Sequence, residues 1–157
     1  MPSNEPQFRF KANLQSGSGN AYVDLNRGGG QDPAVIAFNN NTESSNSNQI
    51  WEFYSVPGFE TRVVVKNSGK QFVLSAGNDG QNAQCSASPN VWDAAAQWYL
   101  EGAEVGDVKN GAVVRLRNVK YANSYLDLAG GNTKNETAFL VFPGHGGPNQ
   151  SFKITRR

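Results

Sequence analysis

The chain has 157 residues, which is the length of one domain of ordinary size. Its 14 basic and 13 acidic residues leave a net charge of +1, which excludes the basic excess that drives nucleic-acid binding. Cys85 is the single cysteine and His145 the single histidine, so an internal disulfide is excluded and neither a metal site nor a cofactor is expected.

The apolar residues fall into short bursts between turn-forming stretches, a pattern typical of an all-β protein. Glycine and asparagine, which favour turns, occur 17 and 19 times. Many bursts alternate apolar and polar residues, as half-buried strands do. The predicted strands, in chain order, are residues 8–10, 22–25, 34–38, 50–54, 62–65, 72–74, 82–85, 98–100, 112–116, 125–128, 138–142 and 151–154. The single helical candidate is the short alanine run at 94–96.

These strands form three sets of four that repeat along the chain. Asp24 and Asp127 occupy matching strands and lie 103 residues apart, close to twice 51. Each closing strand carries an aromatic residue at its first or second position. These residues are Trp51, Trp98 and Phe152, and they are spaced by 47 and then 54 residues. The sequence therefore has an internal period near 50 residues.

Such a period, with four strands in each unit, needs an architecture that buries one face of every unit together. Three units are too few for a propeller of about four to eight blades, but they can close a barrel capped by hairpins. We therefore predict a β-trefoil with threefold pseudo-symmetry. It forms a single domain over residues 1–157, with repeats at about 7–56, 57–106 and 107–157.

The repeats carry a second pattern: an aspartate-bearing strand, a glycine-rich turn, an apolar strand ending in an aromatic residue, and an Asn-Gln-x-aromatic ending. From about residue 7 to residue 154 this pattern resembles the ricin B-like, or R-type, lectins, which are marked by a Gln-x-Trp repeat. The third repeat is most similar to the cytosolic lectins of mushrooms. Two positions depart from the signature, since Ala96 replaces glutamine in the second repeat and Phe152 replaces tryptophan in the third.

Galactose-type sugars present hydroxyls along one edge and a patch of C–H bonds on one face. A carboxylate suits adjacent hydroxyls because its two oxygens accept hydrogen bonds, and an amide adds a donor and an acceptor. A flat aromatic ring contacts the C–H face, and glycine lets the backbone approach the ligand closely.

The first and third repeats supply all these groups, and the resemblance implies that they are the sugar-binding positions. The candidates in the first repeat are Asp24, Gly28, Phe38, Asn41 and Asn48. The candidates in the third repeat are Asp127, Gly131, Phe142, His145 and Asn149. Gln49 and Gln150 are expected to brace the loops, and Trp51 is expected to lie in the core.

The second repeat lacks these groups. Leu74 is expected to replace the aspartate, Ala87 to sit near the aromatic position, and Ala95 to replace the asparagine. Trp92 could be a displaced aromatic. We expect no sugar to bind there, because an unpaired hydroxyl buried at such a site costs about 1–3 kcal/mol.

The resemblance implies a non-catalytic lectin that recognises galactose or N-acetylgalactosamine in glycans such as lactose, LacNAc and LacdiNAc. It also implies a fungal defence protein that gains avidity from several sites or from a homodimer. The polar N-terminus lacks a secretory signal, and no apolar run approaches the ~20 residues that span a bilayer. We therefore expect a cytoplasmic location and no membrane insertion.

Other interpretations of the same residues stay open. A β-trefoil protease inhibitor could present the long loops at 39–47 or 87–95, and a purely structural trefoil is a third possibility. Phe38 and Phe142 could belong to the core, and His145 could be a solvated loop residue. The Asp-Phe-Asn-Gln set occurs in two repeats. This favours the lectin, because an inhibitor does not need matching sites in two repeats. An enzyme is disfavoured because no acid–base pair of carboxylates is evident.

Overall fold

The computed structural model describes residues 5–26, 35–39, 47–77, 81–86 and 90–157. Within these ranges the chain forms twelve β-strands. They are β1 (Gln7–Ser16), β2 (Tyr22–Leu25), β3 (Val35–Phe38), β4 (Trp51–Val56), β5 (Phe59–Asn67), β6 (Val73–Ala76), β7 (Ala83–Ser86), β8 (Trp98–Glu101), β9 (Val113–Asn118), β10 (Ser124–Leu128), β11 (Phe139–Pro143) and β12 (Phe152–Arg156).

Six of these strands close a barrel by antiparallel pairing. β1 pairs with β4 and β12, β5 pairs with β4 and β8, and β9 pairs with β8 and β12. Every barrel strand therefore has a partner on both sides, which satisfies its backbone hydrogen bonds and removes exposed sheet edges.

The other six strands form three hairpins, β2–β3, β6–β7 and β10–β11. Each hairpin joins the barrel through a register pair between its first strand and the barrel strand before it. These pairs are Gln15 with Tyr22, Lys66 with Val73, and Arg117 with Tyr125. The second strands of the hairpins contact one another, so the three hairpins form a cap with threefold pseudo-symmetry.

The core contains one fully buried aromatic residue from the start of each repeat's closing strand: Trp51, Trp98 and Phe152. The two indoles are also tied to the hairpins. Trp51 Nε1 donates to the Val23 carbonyl at 2.8 Å, and Trp98 Nε1 donates to the Leu74 carbonyl at 3.0 Å. These bonds fix the register between the closing strand and the hairpin in the first two repeats.

The predicted all-β architecture of three four-strand repeats is confirmed, and every predicted strand overlaps an observed one. The alanine run Ala94–Ala96 forms a single 3₁₀ turn. Across the described ranges, no helix has both the length and the apolar character that crossing a membrane requires.

Candidate functional site

The third repeat holds a carboxylate where strand β10 meets the turn Pro148–Gln150. Asp127 lies in β10, and only 3% of its side chain is exposed. Its Oδ1 accepts a hydrogen bond from Asn149 Nδ2 at 3.0 Å, and its Oδ2 accepts one from Gln150 Nε2 at 2.8 Å. Two neutral amides therefore fix the orientation of the carboxylate.

The same amides attach the turn to the hairpin. Gln150 Nε2 also donates to the Pro143 carbonyl at 3.0 Å, and Asn149 Nδ2 also donates to the Leu128 carbonyl at 3.1 Å. Pro148 opens the turn, and its restricted φ favours the start of a helical turn. Gln150 thus has the bracing contacts expected from the sequence.

His145 covers the outer side of this carboxylate. Its Nδ1 accepts a hydrogen bond from the Gly147 backbone at 3.0 Å, so in the neutral ring Nε2 carries the proton. Nε2 lies 3.3 Å from Asp127 Oδ2 and donates to it, while 41% of the histidine side chain is exposed. The His145 backbone N–H donates to Gln150 Oε1 at 3.2 Å, which holds the loop over the carboxylate.

Phe142 and Gly131 lie on either side of this cluster. Phe142 is 47% exposed, with its ring centroid 6.2 Å from that of His145, so the alternative that it belongs to the core is wrong. Gly131 has a φ of +66°, and a Cβ there would lie 3.8 Å from Asn149 Cβ. A side chain at this position would be strained because of the positive φ.

The first repeat repeats part of this arrangement. Asp24 is buried in β2, and its Oδ2 accepts a hydrogen bond from Gln49 Nε2 at 3.0 Å. Gln49 Nε2 also donates to the Asn39 carbonyl at 3.0 Å, so it braces the loop as expected. Burial raises the pKa of the Asp24 carboxyl above its usual value, and the hydrogen bond from Gln49 opposes this shift.

The aromatic and amide positions of the first repeat correspond to those of the third. Phe38 ends β3 as Phe142 lies near the end of β11, and each pairs with the tyrosine two residues before the aspartate. Asn48 is the middle residue of the 3₁₀ turn Ser47–Gln49, and both Phe38 and Asn48 are partly exposed. Gly28 and Asn41 lie outside the described residues.

In the second repeat, the position equivalent to Asp24 lies one residue later than predicted from the sequence. The indole of Trp98 identifies Leu74 as the equivalent of Val23, so Ser75 occupies the place of Asp24. The prediction that Leu74 replaces the aspartate is wrong, because this residue is fully buried and points into the core. With Ser75 at this position, the second repeat still lacks the carboxylate, as expected from the sequence.

Alanine replaces both amides of the second repeat, since Ala95 and Ala96 stand in the turn where the other repeats have asparagine and glutamine. Ser86 pairs with Val73, so it occupies the strand position that Phe38 and Phe142 have in the other repeats. Ala87, which was expected near this position, lies outside the described residues. Trp92 is 49% exposed and precedes the turn. This repeat therefore has neither the carboxylate nor the amides.

Sequence reasoning did not identify Arg115 as a neighbour of the third-repeat loop. Its Nη2 donates to the Gly146 carbonyl at 3.0 Å, and its Nη1 donates to the Gly147 carbonyl at 3.3 Å. Arg115 and Arg117 alternate along β9, so their side chains share one face of the strand. That alternation can be read from the sequence and places both arginines on one face of the strand. It does not show which loop this face contacts.

Residues 47–142 match the family described as ricin-type β-trefoil lectin domain-like. The match covers more than half of the chain, and the protein therefore belongs to this family. No curated protein sequence matches the chain significantly.

Solved structures of lectins share the fold. The Rhizoctonia solani agglutinin has a TM-score of 0.74 at 19% identity, and the comparison covers 100% of both chains. The Macrolepiota procera ricin B-like lectin in complex with lactose has a TM-score of 0.69 at 20% identity, covering 100% of this chain and 99% of that one. The C-half of the earthworm R-type lectin in complex with GalNAc has a TM-score of 0.69 at 15% identity, covering 94% and 99%. At these identities the likeness shows the β-trefoil fold.

Proposed function

We propose that the protein is a lectin that binds galactose- or N-acetylgalactosamine-type glycans at its first and third repeats. The observation that carries this proposal is the carboxylate of Asp127, oriented by two amides beside the exposed ring of Phe142. The same bond between glutamine and carboxylate recurs at Asp24 in the first repeat. A carboxylate for hydroxyls beside a ring for C–H bonds matches the two surfaces of a galactoside.

In this proposal a sugar hydroxyl takes the place of His145 against the carboxylate. Asp127 Oδ2 accepts from two donors in the described state, one of which is the imidazole. The His145 side chain is 41% exposed, so the imidazole can turn away from Asp127 while Gln150 and Arg115 hold the loop backbone in place. The displaced imidazole is then free to donate to a second hydroxyl.

The relatives support the choice of sugar. One lectin of the same fold was solved with lactose and another with GalNAc, and both ligands contain a galactose-type ring. The family is a lectin family, so the proposed activity is binding without catalysis.

Calorimetric titration with lactose and with N-acetylgalactosamine tests this function. We expect the wild type to bind both, Asp24→Ala and Asp127→Ala each to lose one site, and the double variant to lose all binding. Ser75→Ala, at the equivalent place in the second repeat, is the matched control and keeps full binding. Circular dichroism checks that each variant is folded.

A folded wild type that binds neither sugar, nor any glycan of a broad panel, would contradict the lectin proposal. Protease inhibition assays would then test the alternative, because the fold alone does not set the function.

Three further expectations of the resemblance stay predictions: a cytoplasmic location, a defence role and a homodimer. Sedimentation of the purified protein tests the dimer, and feeding assays with galactoside-blocked protein test the defence role. Fractionation of the producing cells tests the location.

A further inference from the structure

A pocket of about 570 Å³ lies between strand β9 and the His145 loop. Arg115 and Arg117 line one wall, Tyr125 and Asn123 another, and the loop glycines and Gln150 close it toward the third-repeat site. Gln150 also donates to Asp127. The pocket and the proposed sugar site therefore share a wall.

The two arginines of this pocket have different hydrogen-bond partners. Arg117 Nε donates to Glu101 Oε2 at 2.8 Å, and its guanidinium lies 4.3 Å from the centroid of the Tyr99 ring. Arg115 donates only to the carbonyls of Gly146 and Gly147 among the contacts of the described chain. Carbonyl oxygens accept hydrogen bonds but do not neutralise charge, so the pocket retains the positive charge of Arg115.

The charges of both guanidiniums act on the phenol of Tyr125. Burial raises the pKa of the Tyr125 phenol, as does its hydrogen bond to Glu101, while the charges of Arg117 and Arg115 oppose the shift. The phenol donates to Glu101 Oε1 at 2.8 Å. Glu101 lies opposite Arg115 in the β8–β9 register, but its hydrogen bonds go to Tyr125 and Arg117. Two guanidiniums therefore share one carboxylate, and this part of the described structure keeps a net positive charge.

The fold does not require this pair of arginines. By strand register, Gln15 and Lys66 are the equivalents of Arg117 in the other two repeats. Two residues earlier, where the third repeat has Arg115, the other repeats have Asn13 and Val64. This pair of arginines is therefore particular to the third repeat, which also holds Asp127 with both of its amide donors.

We propose that this pocket binds an anionic group, a carboxylate or a sulfate ester, carried on a galactoside that is seated at Asp127. This inference rests on the proposed function, because the galactoside brings the anion to the pocket. Arginine suits such groups since its planar guanidinium donates two parallel hydrogen bonds to paired oxygens. Arg115 would contact the anion, and Tyr125 and Asn123 would offer further polar contacts.

Calorimetry on the Asp24→Ala variant tests the pocket, because this variant leaves only the third-repeat site. The ligands are lactose, 3′- and 6′-sialyllactose, which carry a carboxylate, and 3′-sulfated lactose. We expect at least one anionic ligand to bind roughly tenfold more tightly than lactose. The preference should shrink when the salt concentration rises, because added ions screen the charge.

Arg115→Gln, added to the same variant, should reduce the ratio of anionic to neutral affinity to about one. Arg9→Gln removes an exposed arginine outside the pocket and is the matched control, which keeps the preference. A gain with the sialylated ligands alone identifies a carboxylate, and a gain with the sulfated ligand alone identifies a sulfate ester.

Lactose binding without any preference for the anionic ligands would overturn this inference and leave the proposed function intact. A preference that persists in Arg115→Gln would also overturn it. If the folded protein binds neither neutral nor anionic galactosides, both the proposed function and this inference fail.

Discussion

Asp127 is surrounded by hydrogen-bond donors: the amides of Asn149 and Gln150 and the imidazole of His145. A carboxylate can accept all of these bonds because it has about four acceptor positions on two oxygens. The arrangement therefore orients the Asp127 side chain before any ligand arrives. Preorganisation of this kind lowers the cost of ordering the site on binding.

Asp127→Asn should destabilise the fold as well as the third site. The new amide has only one oxygen acceptor, and its NH₂ group would face donors. We expect the free energy of unfolding to fall by about 1–3 kcal/mol, measured by urea denaturation. Asp107→Asn is the control, because that side chain is 67% exposed and its loss should change little. Equal stability of the two variants would contradict the described hydrogen bonds.

Asp24 links stability to pH. Its carboxyl pKa is raised in the folded protein by burial, so the folded state holds the proton more tightly than the unfolded state. This group therefore stabilises the fold most below its unfolded pKa of about 3.9, and the contribution is lost as pH rises through the folded pKa.

Urea denaturation of wild type and Asp24→Asn between pH 3 and pH 7 measures this linkage. We expect the stability of wild type relative to the variant to decline as pH rises through the acidic range. A difference that grows with pH would mean that the Gln49 hydrogen bond outweighs burial.

At the level of the strands, each repeat is held by the aromatic residue that begins its closing strand. Trp51 and Trp98 donate to hairpin carbonyls, whereas Phe152 fills the same position without a donor. In the third repeat the amides of Asn149 and Gln150 join the turn to the hairpin, and Gln49 makes a corresponding bond to the Asn39 carbonyl in the first repeat. The three repeats thus reach one topology with different polar contacts.

Trp51→Phe should lower the free energy of unfolding by about 1–3 kcal/mol, because the buried Val23 carbonyl loses its indole donor. Trp92→Phe is the matched control, since this tryptophan is 49% exposed and should tolerate the change within about 0.5 kcal/mol. Chemical denaturation measures both. An equal effect at the two positions would show that the buried indole bond contributes nothing.

The strand order could be predicted from the sequence because each strand is a short apolar burst between polar turns. The register of the second repeat could not, because Val73, Leu74 and Ser75 carry no aspartate to mark the position. Tertiary contacts decide it, since Leu74 enters the core and Ser75 does not. A pattern of single residues cannot show which of two neighbours points inward.

The candidate site could be predicted as a set of residue types but not as a geometry. The bracing role of Gln150 follows from its place in the repeat, and the structure shows that role in its contacts. The contact of His145 with Asp127 depends on the conformation of a glycine-rich loop, which sequence does not set. The support of that loop by Arg115 depends on which strand face it covers.

At the scale of the whole molecule, the threefold fold places the candidate sites in separate repeats. If both proposed sites bind, one chain presents two of them to a surface that carries many galactosides, and linked sites can raise avidity by about 10²–10⁴-fold. The second repeat lacks the carboxylate and the two amides, since Ser75, Ala95 and Ala96 stand at those positions.

Single-site variants should separate avidity from affinity. On a surface coated densely with galactosides, Asp24→Ala and Asp127→Ala should each dissociate at least about tenfold faster than wild type. Each should still bind free lactose at its remaining site with wild-type affinity. Surface plasmon resonance measures the first quantity and calorimetry the second. Unchanged dissociation in either variant would show that the chain does not use two sites.

A crystal structure with lactose tests the central claim most directly, namely that the first and third repeats each hold a galactoside and the second does not. We expect electron density for a galactose ring against Asp127 and Phe142, with its hydroxyls on the carboxylate and His145 displaced, and a second ring against Asp24. Sugar density next to Ser75 would contradict the claim. The lack of sugar density next to both Asp24 and Asp127 at saturating lactose would also contradict it.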